Sequence, residues 1–504
     1  MTPQPPDIPD ARDAQGSTVD CGPLVEAATG CLRAGEWDRG EALVQAAVSL
    51  DPDHAAARNT LAFCLINRRA FEQAAEEAAA AIRLDPTLAA AHNNLGLALN
   101  ALGRSDAAVA AYAEALRLAP RDLNYGLNLA VALETMGNLD DALARIEATR
   151  LAHPAAHEVY NNRANVLQKM QRYAEALDSF ETAIDLAPDN ASAHWNYGLC
   201  LLLTGRLAEG WGEYEWRWRE TSLGLRQRSF PMPQWQGEDL KGRSILVHAE
   251  QGLGDAIQFL RYVALLQKAG AEVVVQTFMP LAELFGTFPG SPVIMPLIDP
   301  DPGMDFHCPI MSLPLSLLAR QPDIPADIPY LSVPKPAAAR WASKFDADEG
   351  PKIGIVSSGN PGHGNDANRS IPLDLLARAL PPGPRYYILQ KVLRETDTEV
   401  LQRRPDLVCL KDDLHDFSDT AAACTGMDLV ISVDTSVAHL AGALGRPLLL
   451  LLPFLPDWRW GLASDTCPWY PTARLLRQSA SGDWSDPLAA VTEAVSVLLQ
   501  HNAA

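Results

Sequence analysis

Two short segments carry residues whose types and spacing suit the chemistry of anions. The first, Asp434-Thr435-Ser436-Val437-Ala438-His439, follows an apolar run and opens a helix that ends near Gly445-Arg446-Pro447. Amides just after Asp434 face outward from the helix start, where unsatisfied N–H groups and the positive end of the helix dipole suit a diphosphate. His439 stands about one turn further on. It serves either that anion or the packing of an ordinary capped helix. The second segment, His248-Ala249-Glu250-Gln251-Gly252-Leu253-Gly254-Asp255, puts a glycine-rich turn after a strand, with Asp255 expected to cap the next helix. A third set is a column of asparagines, Asn94, Asn128, Asn162 and Asn196, each 34 residues after the last. Such amides bond neighbouring backbone or water, or, gathered on one face, grip an extended peptide with a donor and an acceptor each.

The elements beneath that column follow from the period. Prolines stand at Pro52, Pro86, Pro120, Pro154 and Pro188, and the same period recurs at Gly35, Gly103, Gly137 and Gly205 and at Ala74, Ala108, Ala142 and Ala176. Small residues at Ala62, Gly96, Ala130, Ala164 and Gly198 lie two positions past the asparagine column. One helix follows each proline, a glycine or polar turn ends it, and a second helix runs to the next proline. The pattern resembles the tetratricopeptide repeat, whose helix pairs stack because neither can hide its apolar face alone. About five to five and a half such repeats fit between Cys21 and Glu220. Arg69 and Gln171 replace the turn glycine, and the first repeat departs from the pattern as a capping unit does. The expected division is a disordered tail at 1–20 and a repeat domain at 21–225. The asparagine column is similar to the ladder of the animal O-linked N-acetylglucosamine transferase, which implies that Asn94, Asn128, Asn162 and Asn196 bind an acceptor peptide.

From Gly210 the period fades into a stretch containing Trp211, Trp216 and Trp218, read as packing of the last repeat against the next domain. Beyond Lys241, short apolar strands alternate with helices. Strands are expected at 244–249, 272–276 and 293–296, then at 352–357, 386–389, 429–433 and 447–452. Continuous apolar strands with helical crossovers mean parallel sheets covered on both faces. The expected fold class is therefore an all-α superhelix followed by an α/β module of two Rossmann-like lobes, at 226–345 and 346–504. Both anion-type segments then lie at carboxyl ends of strands, facing the cleft where ligands bind in such sheets. The segments 305–309 and 453–460 border that cleft and are read as packing turns. Asp299-Pro300-Asp301 imitates a metal-binding triplet but sits in a proline-rich loop away from the other motifs, so no metal is assigned to it.

Together the two motifs resemble the two-lobed, heptosyltransferase-like glycosyltransferases of family 9. The resemblance implies Gly254 and Asp255 as the glycine-aspartate pair whose carboxylate is the base. It further implies Asp434, Thr435, Ser436, Val437, His439 and Pro447 as the segment that binds a nucleotide diphosphate. Serine at position 436 stands where heptosyltransferases usually have glycine, so the donor sugar need not be theirs. Arg369 occupies the family's basic position before a hydrophobic-proline pair, here Ile371-Pro372, which implies a phosphate contact by its guanidinium fork. Gln390 and Lys391, after the next strand, are candidates for the nucleoside side.

Composition narrows the partners. The chain has 504 residues, 48% of them hydrophobic, with 41 basic against 62 acidic side chains. Both halves share the acidity, at −13 up to Leu225 and −8 beyond. A nucleic-acid binder that relies on a basic face is excluded as an expectation. Eight scattered cysteines without a C-x-x-C pair read as reduced, mostly buried thiols, and no apolar run is long enough to span a membrane. The expectation is a cytoplasmic, metal-independent enzyme. It moves a sugar from a nucleotide-sugar co-substrate to a Ser/Thr hydroxyl of a protein, with inversion and without a further cofactor. Repeat-containing bacterial transferases of this kind, some of which modify flagellin, are similar over nearly all of the chain after residue 20. Two other readings stay open: a transferase acting on a saccharide or lipid-linked glycan, and a non-catalytic scaffold with a degenerate transferase domain.

Overall fold

The computed structural model describes residues 20–298, 302–346, 350–462 and 464–502. The tail expected at 1–20 lies outside them except for Asp20, and so does the 299–301 triplet. The chain divides into two compact units, residues 1–196 and 197–504, with the boundary inside the helix Ala191–Leu203.

Five complete helix pairs fill the described part of the first unit: Gly22–Arg33 with Trp37–Leu50, Ala55–Asn67 with Phe71–Leu84, Ala89–Ala101 with Ser105–Leu118, Leu123–Thr135 with Leu139–Ala152, and His157–Lys169 with Tyr173–Leu186. The alanine column marks where helices cross, and Ala74, Ala108, Ala142 and Ala176 are all fully buried. Gly96 is small for the same reason, since a Cβ there would lie 2.6 Å from the Tyr112 ring. The turns within the pairs are left-handed at Gly35, Gly103 and Gly137, and also at Arg69 (φ 61°) and Gln171 (φ 58°). The repeat geometry thus imposes the glycine conformation even where the sequence lacks glycine.

The second unit opens with the shortened helix Leu207–Tyr214, whose Trp211 ring stands edge-on to Phe259 and Trp458 at 6.0 and 5.4 Å. Two parallel sheets follow. The first contains β1 (Ser244–His248), β2 (Glu272–Thr277), β3 (Val293–Pro296) and β4 (Phe306–Pro309) in the order β3-β2-β1-β4. The second contains β5 (Lys352–Val356), β6 (Arg385–Ile388), β7 (Leu407–Cys409), β8 (Leu429–Val433), β9 (Leu448–Leu452) and β10 (Ala473–Arg477) in the order β10-β9-β8-β5-β6-β7. Every pairing between these strands is parallel. Strands β4, β7 and β10 correct the sequence reading, which has no strand at these places and takes 305–309 for a turn. All three lie at sheet edges and lack a continuous apolar run: β4 is Phe-His-Cys-Pro, β10 is Ala-Arg-Leu-Leu-Arg, and β7 has three residues. The second sheet is buried against Leu376, Val400 and, from the C-terminal helix Ser485–Asn502, Leu488, Val491 and Val495.

Strand order determines where a ligand can enter. In the first sheet the chain reverses its direction of travel between β1 and β4, and in the second between β5 and β8. Crevices open at the carboxyl ends of such switch-point strands. The loop after β1 leads into the helix that carries Gly254 and Asp255, the loop after β5 leads to Arg369, and the residue after β8 is Asp434.

Candidate functional site

Gly254 and Asp255 lie in the helix Leu253–Phe259, with Gly252 as its N-cap. Asp255 is therefore the third helical residue, not the cap expected from sequence. From there its carboxylate takes the Gly252 backbone N–H, as an acidic residue at that position commonly does. The N-terminus of this helix presses on the helix Ser436–Ala443 of the other sheet. A Cβ on Gly254 would lie 2.8 Å from His439 Cδ2 and 3.4 Å from the Ser436 Cα. Only glycine lets the two motif segments approach so closely.

The Asp255 carboxylate accepts a hydrogen bond from Arg459 Nη2 at 2.6 Å. The same guanidinium donates through Nη1 to Asp457 Oδ1 and through Nε to Gln258 Oε1, both at 2.8 Å, and lies 4.3 Å over the Trp458 ring. Burial pushes the Asp255 carboxyl above its ordinary range, and the adjacent Arg459 charge only partly opposes this. Arg459 belongs to the 453–460 segment that the sequence reading treats as packing, and its partner lies 204 residues earlier. No spacing rule links the two.

A second buried ion pair shapes the loop in front of Asp255. Arg217, with no exposed side-chain surface, bonds Glu250 Oε2 through Nε at 3.0 Å and Glu215 Oε1 through Nη1 at 2.6 Å. It also donates to Ser312 Oγ at 2.8 Å, and Glu250 Oε1 accepts from the Met311 amide at 3.0 Å. Glu250 is thus tied at both oxygens, between the end of β1 and the turn after β4.

Across the cleft, Asp434 is half-buried at the end of β8, and its carboxyl is pushed up to about 6 by burial and by the Asp457 charge, against the pull of Trp460, Arg459 and Arg369. Thr435 is the N-cap of the helix Ser436–Ala443, and no side chain caps it. The Ser436 and Val437 amides therefore sit at a bare helix start. Arg369 ends the short helix Asp366–Arg369 and folds over Gly359, where a Cβ would meet Arg369 Nη2 at 2.8 Å. Arg369 Nε and Gln258 Nε2 are buried nitrogens without a hydrogen-bond partner among the described residues.

His439 is held by its neighbours. Its Nδ1 meets the Tyr470 hydroxyl at 3.0 Å, its ring stacks on Trp460 at 5.1 Å, and burial holds its pKa well below the usual value, leaving the ring neutral. Gln390 spends its amide on the loop just after β5: Oε1 accepts from the Ser357 amide at 2.8 Å, and Nε2 donates to Ser358 Oγ at 3.0 Å. Lys391 is exposed and donates to the His415 carbonyl at 3.3 Å. Neither side chain is directed to the Asp434 loop by these bonds.

The asparagine column joins repeats. Asn94 donates to Asn59 Oδ1, Asn128 to Asn93 Oδ1, and Asn196 to Asn161 Oδ1, at 2.8, 2.8 and 3.3 Å. For Asn162 the equivalent partner position holds Leu127, and its amide turns to the Glu158 carbonyl instead. An amide N–H of each is thus spent within the repeats, and what remains to each for a peptide is at most its second N–H together with its carbonyl oxygen. A separate groove of about 410 Å³ lies between the helices Phe71–Leu84 and Ala89–Ala101, with an apolar floor of Leu95, Leu99 and Leu102 and a rim of Glu72, Glu76 and Arg83. None of the four column asparagines lines it.

Tetratricopeptide-repeat models match residues 32–96, 89–122 and 161–215. The N-terminal half is a run of such repeats. Protein FlbA of Caulobacter vibrioides is 27% identical over 383 residues, covering 69% of this chain. That share exceeds the whole of residues 1–225, so the similarity extends into the α/β unit. The chain spans 63% of the length of that relative. Among solved structures, a thermophilic TPR protein of Thermus thermophilus is 21% identical, covering 36% of this chain and all of its own, at a TM-score of 0.33. PilF of Pseudomonas aeruginosa is 20% identical over 40% of this chain and 91% of its own, at 0.35. YrrB, described as a TPR protein with an unusual peptide-binding site, is 22% identical over 34% of this chain and 90% of its own, at 0.30. Among the described residues no helix is long and apolar enough to cross a membrane.

Proposed function

We propose that the protein is a glycosyltransferase that moves a sugar from a nucleotide-sugar to a Ser/Thr hydroxyl of a protein acceptor recruited by the repeats. The carrying observation is the meeting of two helices that follow switch-point strands, Gly254 against His439 and Ser436, which sets the residue next to Asp255 against that helix start. Asp255 takes the proton of the acceptor hydroxyl as its oxygen bonds to the anomeric carbon. The bond from that carbon to the diphosphate oxygen breaks on the opposite face, with inversion. Charge gathering on the leaving diphosphate is met by the Ser436 and Val437 amides and by Arg369. The orphaned N–H group of Arg369 supports an anionic ligand here, since buried donors ordinarily have acceptors. Burial favours Asp255 as a base, because a raised pKa strengthens a carboxylate's pull on a hydroxyl proton.

The test is intact-mass analysis of candidate acceptor proteins incubated with a panel of nucleotide sugars. Transfer is expected in the wild type and is lost in Asp255→Asn, with nucleoside-diphosphate binding retained. Full transfer by Asp255→Asn would overturn the assignment of the base. Binding of no nucleotide at all would overturn the reading as a transferase and leave an interaction scaffold.

A further inference from the structure

One guanidinium stands between three carboxylates and the diphosphate end of the cleft. Arg459 bonds Asp255 and Asp457 directly, and its charge also acts on Asp434. Its side chain is 10% exposed and that of Asp255 is 20% exposed, so water screens their pairing poorly. A carboxylate oxygen held by a guanidinium cannot also accept an acceptor hydroxyl's proton through the same lone pair. The strongest rival for a guanidinium is a phosphate group, which offers the same bidentate geometry and more charge. Trp460, the next residue, stacks on His439, whose helix begins at Ser436. Arg459 is therefore tethered beside the helix start where the proposed diphosphate sits.

Resting on the transferase reading above, we propose that Arg459 is a counter-ion shared between the base and the donor. It pairs with Asp255 until an anionic diphosphate competes for it, and donor binding thereby releases the carboxylate for the acceptor hydroxyl. Arg459 acts through Asp255 and is a positioning residue for that base. Its other neighbours set the balance: Asp457 and Gln258 keep the guanidinium in place when it lets Asp255 go, and Tyr214 and Trp458 pack beside it. The arrangement would restrict wasteful hydrolysis of the donor, because the base and the leaving group would be served by one charge in turn.

The test is a double-mutant cycle on the full-length protein, with pyrophosphate and a panel of nucleoside diphosphates as probes and calorimetry as the readout. Arg459→Gln is expected to weaken binding by about tenfold or more, on the scale of a lost charge-assisted contact. Asp255→Asn is expected to tighten binding several-fold when Arg459 is present, because the competitor for the guanidinium is gone. In the Arg459→Gln background the same change is expected to give less than about a twofold effect, since coupling requires the arginine. Equal tightening in both backgrounds means that Asp255 acts on the anion only by through-space repulsion, and overturns the proposal. So does unchanged binding by Arg459→Gln. If the wild type binds none of the probes, the nucleotide-sugar reading itself fails, and the two failures are distinct. Melting curves of each variant confirm that folded protein is being compared.

Discussion

Gly254 lies so close to His439 that a single added methyl would sit 2.8 Å from the imidazole Cδ2. The ring has nowhere to retreat, because Trp460 stacks on it and the Tyr470 hydroxyl holds its Nδ1. Gly254→Ala should therefore destabilise the second unit by about 1–3 kcal/mol, the usual cost of overpacking. Pairing it with His439→Ala should recover part of the loss, since the clash is removed. Urea unfolding of the two single variants and the double variant reads this directly. Simple additivity would mean that the contact does not fix the approach of the two helices.

Arg69 and Gln171 adopt the left-handed conformation that glycine adopts at the equivalent turns. A side chain there costs roughly 1–2 kcal/mol, while glycine costs about 0.5–1 kcal/mol through the unfolded chain. The difference favours glycine, so Arg69→Gly and Gln171→Gly should each raise stability by up to about 1 kcal/mol. Thermal melts of the variants, with Gly103→Ala as the opposite control, show the sign. A fall in melting temperature for both glycine variants would contradict the turn geometry.

Much of this fold was legible because its signals are local and repeated. Prolines and alanines every 34 residues fix helix pairs without knowledge of any distant contact. The two motif loops were legible too, since a glycine or aspartate at a strand end has a local geometric meaning. The fate of His439 and of the asparagine column was not, because the same residue types serve packing and ligand contact equally well. Asn94 and Asn162 show the point: they occupy the same place in the repeat, but one donates to Asn59 and the other, with Leu127 at the equivalent partner position, donates to the Glu158 carbonyl. Arg459 and Arg217 were missed for another reason. Each is defined by a carboxylate far along the chain, Asp255 and Glu250, and an ion pair of that separation leaves no periodic trace. The edge strands β4 and β10 carry histidine, proline or arginine where the strands that were read have continuous apolar runs, and β7 has only three residues.

The fully buried Arg217 and its partner Glu250 give a test of how the Asp255 loop is held. Removing one member strands the other charge in a dry site, which typically costs about 3–5 kcal/mol. Arg217→Met should show that loss, and the double variant Arg217→Met with Glu250→Gln should regain part of it, since Glu215 still lacks its guanidinium partner. Burial already pushes the Glu250 carboxyl above its usual range even with Arg217 beside it. The Met variant should accordingly be least unstable at low pH, where Glu250 can take up a proton. Urea unfolding at two pH values checks both expectations, and a double variant no better than the single would refute the pairing as the source.

Asp434 links pH to stability with a definite sign. Its carboxyl is pushed up to about 6 in the folded protein, whereas an exposed aspartate titrates near 3.9. Between those values the folded state binds more protons than the unfolded state, so stability falls as pH rises from about 4 to about 6. Above that window the buried charge persists as a penalty on the order of 2 kcal/mol, less than the full shift implies because the side chain is partly solvated. Asp434→Asn carries no such charge. It should equal the wild type in stability near pH 4 and exceed it by that amount at pH 7. Asp457 contributes to the shift, so Asp457→Asn should move the window toward lower pH and shrink the gap. Denaturant midpoints measured at half-unit steps across this range test the sign. A gap that stays constant with pH would mean that Asp434 titrates as an ordinary exposed carboxylate.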